Sequence, residues 1–121
     1  MLSRLYRLKK RNDFSRLLEN GKAKTTRFLS IKFIDNDQKT SRFGFLVGKK
    51  AFKKASLRNK IKRRLREALK ENLSLIEPGK DVAFLARAGF EDRSARESSE
   101  EILCLLKMAN LIRNNKDRSN V

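Results

Sequence analysis

Apolar positions repeat with a period near 3.6 in three stretches of the 121 residues and with a period of two in between. Between Leu8 and Leu18 the side chains Phe14, Leu17 and Leu18 share one helical face. Asn12 is a candidate N-cap and Asn20-Gly21 a stop, so a short first helix is expected. Lys22 to Thr26 is polar and reads as a short extended entry to a sheet. From Arg27 the period drops to two: Leu29, Ile31 and Phe33 fall on one face, with Phe28, Ser30 and Lys32 on the other. After the polar loop Asp35 to Thr40, Phe43, Phe45 and Val47 alternate with Arg42, Gly44, Leu46 and Gly48. The simplest expectation is an antiparallel pair of strands. Arg58 to Leu73 carries the clearest helical stripe, Ile61, Leu65, Ala68, Leu69 and Asn72. Pro78-Gly79 predicts a turn, Asp81 to Ala86 a short buried strand, and Gly89 to Arg96 a loop. Ser98 with Glu101 offers a capping box for a last helix to about Asn110, with Ile102, Leu105, Leu106 and Ala109 as its stripe. The tail from Arg113 is polar and expected to fray. The expected class is α+β, helices packed on a mainly antiparallel sheet as a two-layer α-β sandwich, in the order α-β-β-β-α-β-α.

The length fits a single domain covering residues 1–121, and 39% hydrophobic residues with eight Phe suffice for one core. Charge changes the picture more. There are 31 Lys and Arg against 14 Asp and Glu, a net +17, which calls for a polyanionic partner. No stretch approaches the ~20 apolar residues needed to span a bilayer. Basic residues interrupt the apolar ones from Met1 to Lys10, so no secretory signal is expected and the expected address is cytoplasmic. The chain has no His and a single Cys, which removes the usual acid/base, the commonest metal ligand and any internal disulfide. Cys104, within an apolar run, reads as a buried structural thiol. The scattered carboxylates form no catalytic pair, so neither catalytic nor metal-binding residues are expected in this chain.

The charge is concentrated. Between Arg42 and Lys70 lie twelve basic residues and one acid, Glu67. Arg58, Lys62 and Arg66 are spaced four apart along one edge of the helical stripe, and Asn59, Arg63 and Lys70 lie beside them. Such a row of like charges destabilises an isolated helix by a few tenths of a kcal/mol per pair. A solvated face normally mixes signs at that spacing, so a nucleic-acid contact is the better account. On the sheet, Phe28 has two readings. It could stack on a base between phosphates held by Lys32 and Arg42, or it could pack under the first helix, with Gly44 and Gly48 marking bulges.

Two segments together carry a family resemblance: Arg42-Phe43-Gly44-Phe45-Leu46-Val47-Gly48-Lys49-Lys50, and Leu57-Arg58-Asn59-Lys60-Ile61-Lys62-Arg63-Arg64-Leu65-Arg66-Glu67. A strand ending in Lys-Lys, then a helix opening on Arg-Asn and a second cation, resembles the ribonuclease P protein family. Leu8-Lys9-Lys10 with Asp13-Phe14 and Gly21 resembles the family's first helix, and Asp81 to Arg87 its late strand, so the match covers about residues 8–111. The resemblance implies a left-handed β-α-β crossover and a role as the protein subunit of ribonuclease P. The implied partners are a catalytic RNA and the 5′ leader of precursor tRNA, with no DNA or membrane. It also implies that the protein alone is inactive, and that divalent metal such as Mg, held on the RNA, supplies the hydrolysis. By the same resemblance Lys49, Lys50, Arg58, Asn59, Lys60, Lys62, Arg63 and Arg66 face the catalytic RNA. Phe14, Leu18, Lys32, Arg42 and Gly44 line the leader cleft. Three positions depart from the family pattern: Lys60 replaces an Arg, Lys32 an aromatic residue, and Ala51 to Ser56 a smaller, Gly-containing connection. Without the resemblance, a ribosomal or other structural RNA-binding protein is the alternative.

Overall fold

The computed structural model describes residues 11–112; Leu8 to Lys10 of the expected first helix and the tail 113–121 lie outside it. The elements run helix α1 (Arg11–Asn20), strands β1 (Lys22–Thr25), β2 (Leu29–Asp35) and β3 (Arg42–Leu46), helix α2 (Ala55–Asn72), strand β4 (Lys80–Ala86) and helix α3 (Ala95–Met108). Short 3-10 turns occupy Leu73–Leu75 and Phe90–Asp92. This is the α+β order expected from the periodicities. The stripe read for α2 is the one found buried: Ile61, Leu65, Ala68, Leu69 and Asn72. Asn12 lies within α1 rather than at its cap.

The strands lie in the order β1-β2-β4-β3. β2 pairs antiparallel with β1 and β4, whereas β3 pairs with β4 alone among the described strands, and in parallel. The expected β2–β3 hairpin is therefore absent, because β4 is inserted between the two strands. The reason lies in its side chains. Val82, Ala83 and Phe84 are all fully buried, so both faces of β4 need cover, which its place between β2 and β3 supplies, with α2 and α3 on one side and α1 on the other. β3 then reaches β4 through α2, a parallel β-α-β connection. The register around Gly44 is unbroken, with Phe43 opposite Val82, Gly44 opposite Ala83 and Phe45 opposite Phe84, so Gly44 marks no bulge.

One face of the sheet carries the main core. Leu29, Ile31, Phe43, Val82 and Phe84 pack with the buried faces of α2 and α3. On the other face Leu17 of α1 is fully buried against Ala83, with Phe14, Ile34 and Leu85 around them. Each large side chain buried in this way contributes about 1.5–3 kcal/mol.

Two further expectations are corrected. The capping box of α3 is Ser94 with Glu97, one turn earlier than Ser98 with Glu101: the Ser94 hydroxyl accepts from the Glu97 N–H at 3.0 Å, and Glu97 accepts from the Ser94 N–H at 2.9 Å. Both pairs have the same spacing. The earlier one wins because Ser98 is buried inside the helix and donates to the Ser94 carbonyl, while Glu101 is engaged elsewhere. Its Oε2 accepts from the Thr26 hydroxyl at 2.5 Å and the Phe28 N–H at 3.0 Å, tying α3 to the chain before β2. Cys104 is exposed, not buried, since the buried stripe of Ile102, Leu105 and Leu106 leaves it on the outer flank of α3.

Candidate nucleic-acid interface

α2 is the longest helix, and its apolar stripe fixes which cations face outward. Lys60 and Arg63 are exposed, as are Asn59 and, in the segment leading to the helix, Lys49 and Lys50. Lys62 is half-buried on the flank. Among the described residues, no ion pair involves any cation from Lys49 to Lys70; the pairs present belong to Arg42, Lys80, Arg93 and Arg96. Three arginines of α2 are nevertheless held in place. Arg58 Nη1 donates to the carbonyls of Phe52 at 2.8 Å and Lys53 at 2.9 Å, bracing the connection into the helix. The Arg66 guanidinium lies 6.0 Å from the centre of the Phe45 ring, which is stacked in turn on Phe84. Arg64 donates to the Arg93 carbonyl. None of these contacts neutralises charge. On the side towards α3, Lys60, Arg63, Arg64, Glu67 and Glu71 line a groove of ≈ 400 Å³ that reaches Ala95.

The second region lies between α1 and the sheet. All five residues assigned by resemblance to the leader cleft come together there, because alternation places Lys32 and Gly44 on either side of Ala83 in register. Leu18 is the exposed apolar residue of α1, and Phe14 is half-buried. The two cations are committed within the protein. Lys32 Nζ donates to the Leu18 carbonyl at 2.8 Å, in the last turn of α1. Arg42 donates through Nε and Nη2 to Asp81 at 2.9 and 2.7 Å, and through Nη1 to Asp13 at 3.1 Å. Asp81 is 1% exposed and Arg42 16%. The hydrogen bond to Asp81 leads the causes that raise the Arg42 pKa, so it stays charged throughout the working range.

A charged helix face beside a strand-and-helix cleft suits an RNA-handling protein, and comparison with known families decides which one. The family model described as Ribonuclease P matches residues 2–110. The chain belongs to the ribonuclease P protein family. The ribonuclease P protein component of Pelotomaculum thermopropionicum is 37% identical over 106 residues, 88% of this chain and 94% of that protein. That of Syntrophomonas wolfei is 30% identical over 98% of both. The Staphylococcus aureus RNase P protein superposes with a TM-score of 0.79 at 33% identity, covering 89% of this chain and 98% of that one. The Thermotoga maritima RNase P protein gives 0.76 at 33% identity, covering 84% and 96%. The chain's function is thus that of the protein subunit of ribonuclease P in tRNA 5′ processing, and its partner is RNA. Among the described residues no helix is long and apolar enough to cross a membrane.

Some features of this ribonuclease P protein escaped the sequence reading. Asp13 and Asp81 gave no local signal, since they meet Arg42 only through the β3–β4 pairing and the docking of α1. Phe28 takes neither place foreseen for it. It packs at the end of the sheet with Arg27 and Arg93 guanidiniums 5.4 and 4.6 Å from its ring centre. The backbone of Gly89 lies so close that a Cβ there would meet the ring at 2.6 Å. That approach, at φ +101, explains the glycine.

Proposed function

We propose that the outer face of α2 with Lys49 and Lys50 binds the catalytic RNA, and that the cleft between α1 and the sheet receives the 5′ leader of precursor tRNA. The observation that carries this reading is the set of cations that meet no carboxylate among the described residues: Lys49, Lys50, Lys60, Lys62 and Arg63, with Arg58 and Arg66 pre-positioned beside them. Unneutralised charge on one face destabilises the free protein and is recovered when phosphates displace their counterions. Arginine adds a planar fork that matches phosphate. In the cleft, Phe14 and Leu18 offer apolar surface to leader bases, and Lys32 and Arg42 border it with Gly44 at its floor.

The protein's part is electrostatic and positional. Its cations screen two RNAs that repel each other, which raises leader affinity and lowers the magnesium concentration the complex needs. Divalent ions held by the RNA supply the hydrolysis, and no bond-breaking step is assigned to a side chain of this protein. The test is precursor-tRNA cleavage at low magnesium with catalytic RNA alone, protein alone and both together. Cleavage at the mature 5′ end only in the combined reaction supports the reading. Activity from protein alone would overturn the division of labour, and RNA binding without stimulation would overturn the cofactor role.

A further inference from the structure

The resemblance puts Arg42 in the leader cleft, yet its surroundings oppose a direct grip on the leader. Its guanidinium is engaged by two carboxylates at once, Asp81 from β4 and Asp13 from the first turn of α1. One cation between two anions leaves a local net charge of −1, which does not attract a phosphate. What the arrangement does is mechanical. Asp81 is fully buried and its Oδ1 also accepts from Asn36 Nδ2 at 2.9 Å, so Arg42 is anchored to the sheet. Asp13 then hangs α1 from that anchor.

α1 depends on such ties. Among the described residues its apolar seat is small, one fully buried leucine on Ala83 with three half-buried neighbours. Three polar links among those residues supplement it, spread along the helix: Asp13 to Arg42, Arg16 Nη2 to the Asp35 carbonyl at 2.9 Å, and the Leu18 carbonyl to Lys32 Nζ. The Asp13 link ties the first turn, just ahead of Phe14.

We propose that Arg42 is a positioning residue: through Asp13 it holds α1, and with it Phe14 and Leu18, at the distance from the sheet that the leader requires. This inference rests on the assignment of the cleft to the leader. It differs from direct phosphate contact in the sign of one effect. Removing the Asp13 carboxylate makes the protein more positive, so charge alone predicts tighter binding of a polyanion. Loss of position predicts weaker binding.

The experiment uses the reconstituted holoenzyme and measures affinity for precursor tRNA with a leader and for the same tRNA without one. Asp13→Ala keeps a good helix former in α1. It is expected to weaken binding of the leader-bearing substrate roughly tenfold, near the low end of the scale for one charge-assisted hydrogen bond, and to leave the leaderless tRNA and the catalytic RNA unaffected. Asp13→Asn, which can still accept from Nη1, is expected to recover part of the loss. Arg42→Lys keeps the charge but not the fork and should match Asp13→Ala. Phe14→Ala serves as the control for the cleft itself. If Phe14→Ala weakens leader binding while Asp13→Ala leaves it equal or tighter, the cleft assignment stands and the positioning role is overturned. If neither variant matters, the leader does not use this cleft and both statements fall. Parallel loss of catalytic-RNA affinity in Asp13→Ala would show a general brace of the fold, which also overturns the inference.

Discussion

The outer face of α2 and the α1 cleft are both rich in Lys and Arg, and they use them in opposite ways. On α2 the cations outnumber the acids and none of them meets a carboxylate among the described residues. In the cleft Arg16, Lys32 and Arg42 each donate to a protein acceptor, two of them to backbone carbonyls. A count of charges along the chain treats the two regions alike. Their physics differs, because an unpaired exposed cation is available to an RNA phosphate and carries the salt dependence. A cation already bonded inside the protein is spent on shape. Uncommitted charge should therefore govern RNA affinity with little effect on folding, and committed charge should do the reverse.

The largest effect tests the committed side. Asp81→Ala removes a carboxylate buried to 1% exposure, leaves Arg42 with Asp13 as its one carboxylate among the described residues, and takes an acceptor from Asn36. Breaking a buried pair from one side costs about 3–5 kcal/mol; because Arg42 keeps some access to solvent, about 3 kcal/mol is expected. Urea unfolding of the free protein measures it. A loss under about 1 kcal/mol would mean the network is ornamental.

The uncommitted side is tested by Lys60→Ala combined with Arg63→Ala. Both residues are exposed and make no hydrogen bond among the described residues. At roughly 0.7 to 0.9 per phosphate, the slope of log affinity for catalytic RNA against log salt should fall by about 1.5. Affinity at moderate salt should drop on the order of tenfold, while stability stays within about 0.5 kcal/mol, the range for surface changes. An unchanged slope would remove these two residues from the interface.

How far these regions could be read beforehand follows the same division. α2 was legible almost residue for residue, because a 3.6 period fixes its buried stripe and hence its outer face without help from elsewhere. The cleft was not. Which strand neighbours which is decided by distant chain segments, and the loop from Asp35 to Thr40 allows a hairpin as readily as the crossover found. The available cue was β4 itself: Val82-Ala83-Phe84 is continuously apolar where β2 alternates, the mark of a strand covered on both faces. Once β4 enters between β2 and β3, Asp81 stands beside Arg42, and the cation becomes a fastening. The first turn of α3 was misplaced for a different reason. Two serine–glutamate pairs at equal spacing compete, and the burial of Ser98 together with Glu101's bonds to Thr26 and Phe28 chooses between them.

Arg58 belongs to both classes and sharpens the boundary. Its Nη1 braces two carbonyls of the connection before α2, yet its charge is not neutralised. Arg58→Lys keeps the charge and loses this geometry. Stability should fall by about 1 kcal/mol while the salt slope holds. If the slope falls by about one instead, the guanidinium itself contacts phosphate.

Acid gives the smallest effect, and again only committed charges should feel it. The backbone N–H of Ser94, with Arg93 nearby, holds the Glu97 carboxyl below its ordinary value of 4.5. The hydrogen bond from Lys80 holds Asp35 below 3.8. In both cases the unfolded chain takes up the proton first. The stabilisation is therefore complete above the ordinary carboxylate value and disappears as pH falls through the depressed one. Melting temperature should be level from pH 7 to about 5 and decline below about 4.5. Glu97→Gln should flatten part of that decline while keeping the helix start intact, since glutamine also closes a capping box. At 0.15 M salt the long-range field of the α2 cations is screened beyond about 8 Å. The Lys60→Ala, Arg63→Ala protein should thus show the same acid limb as the parent. A limb that moved with those two substitutions would mean that α2 charge is coupled to the fold after all, and the separation between the two regions would fail.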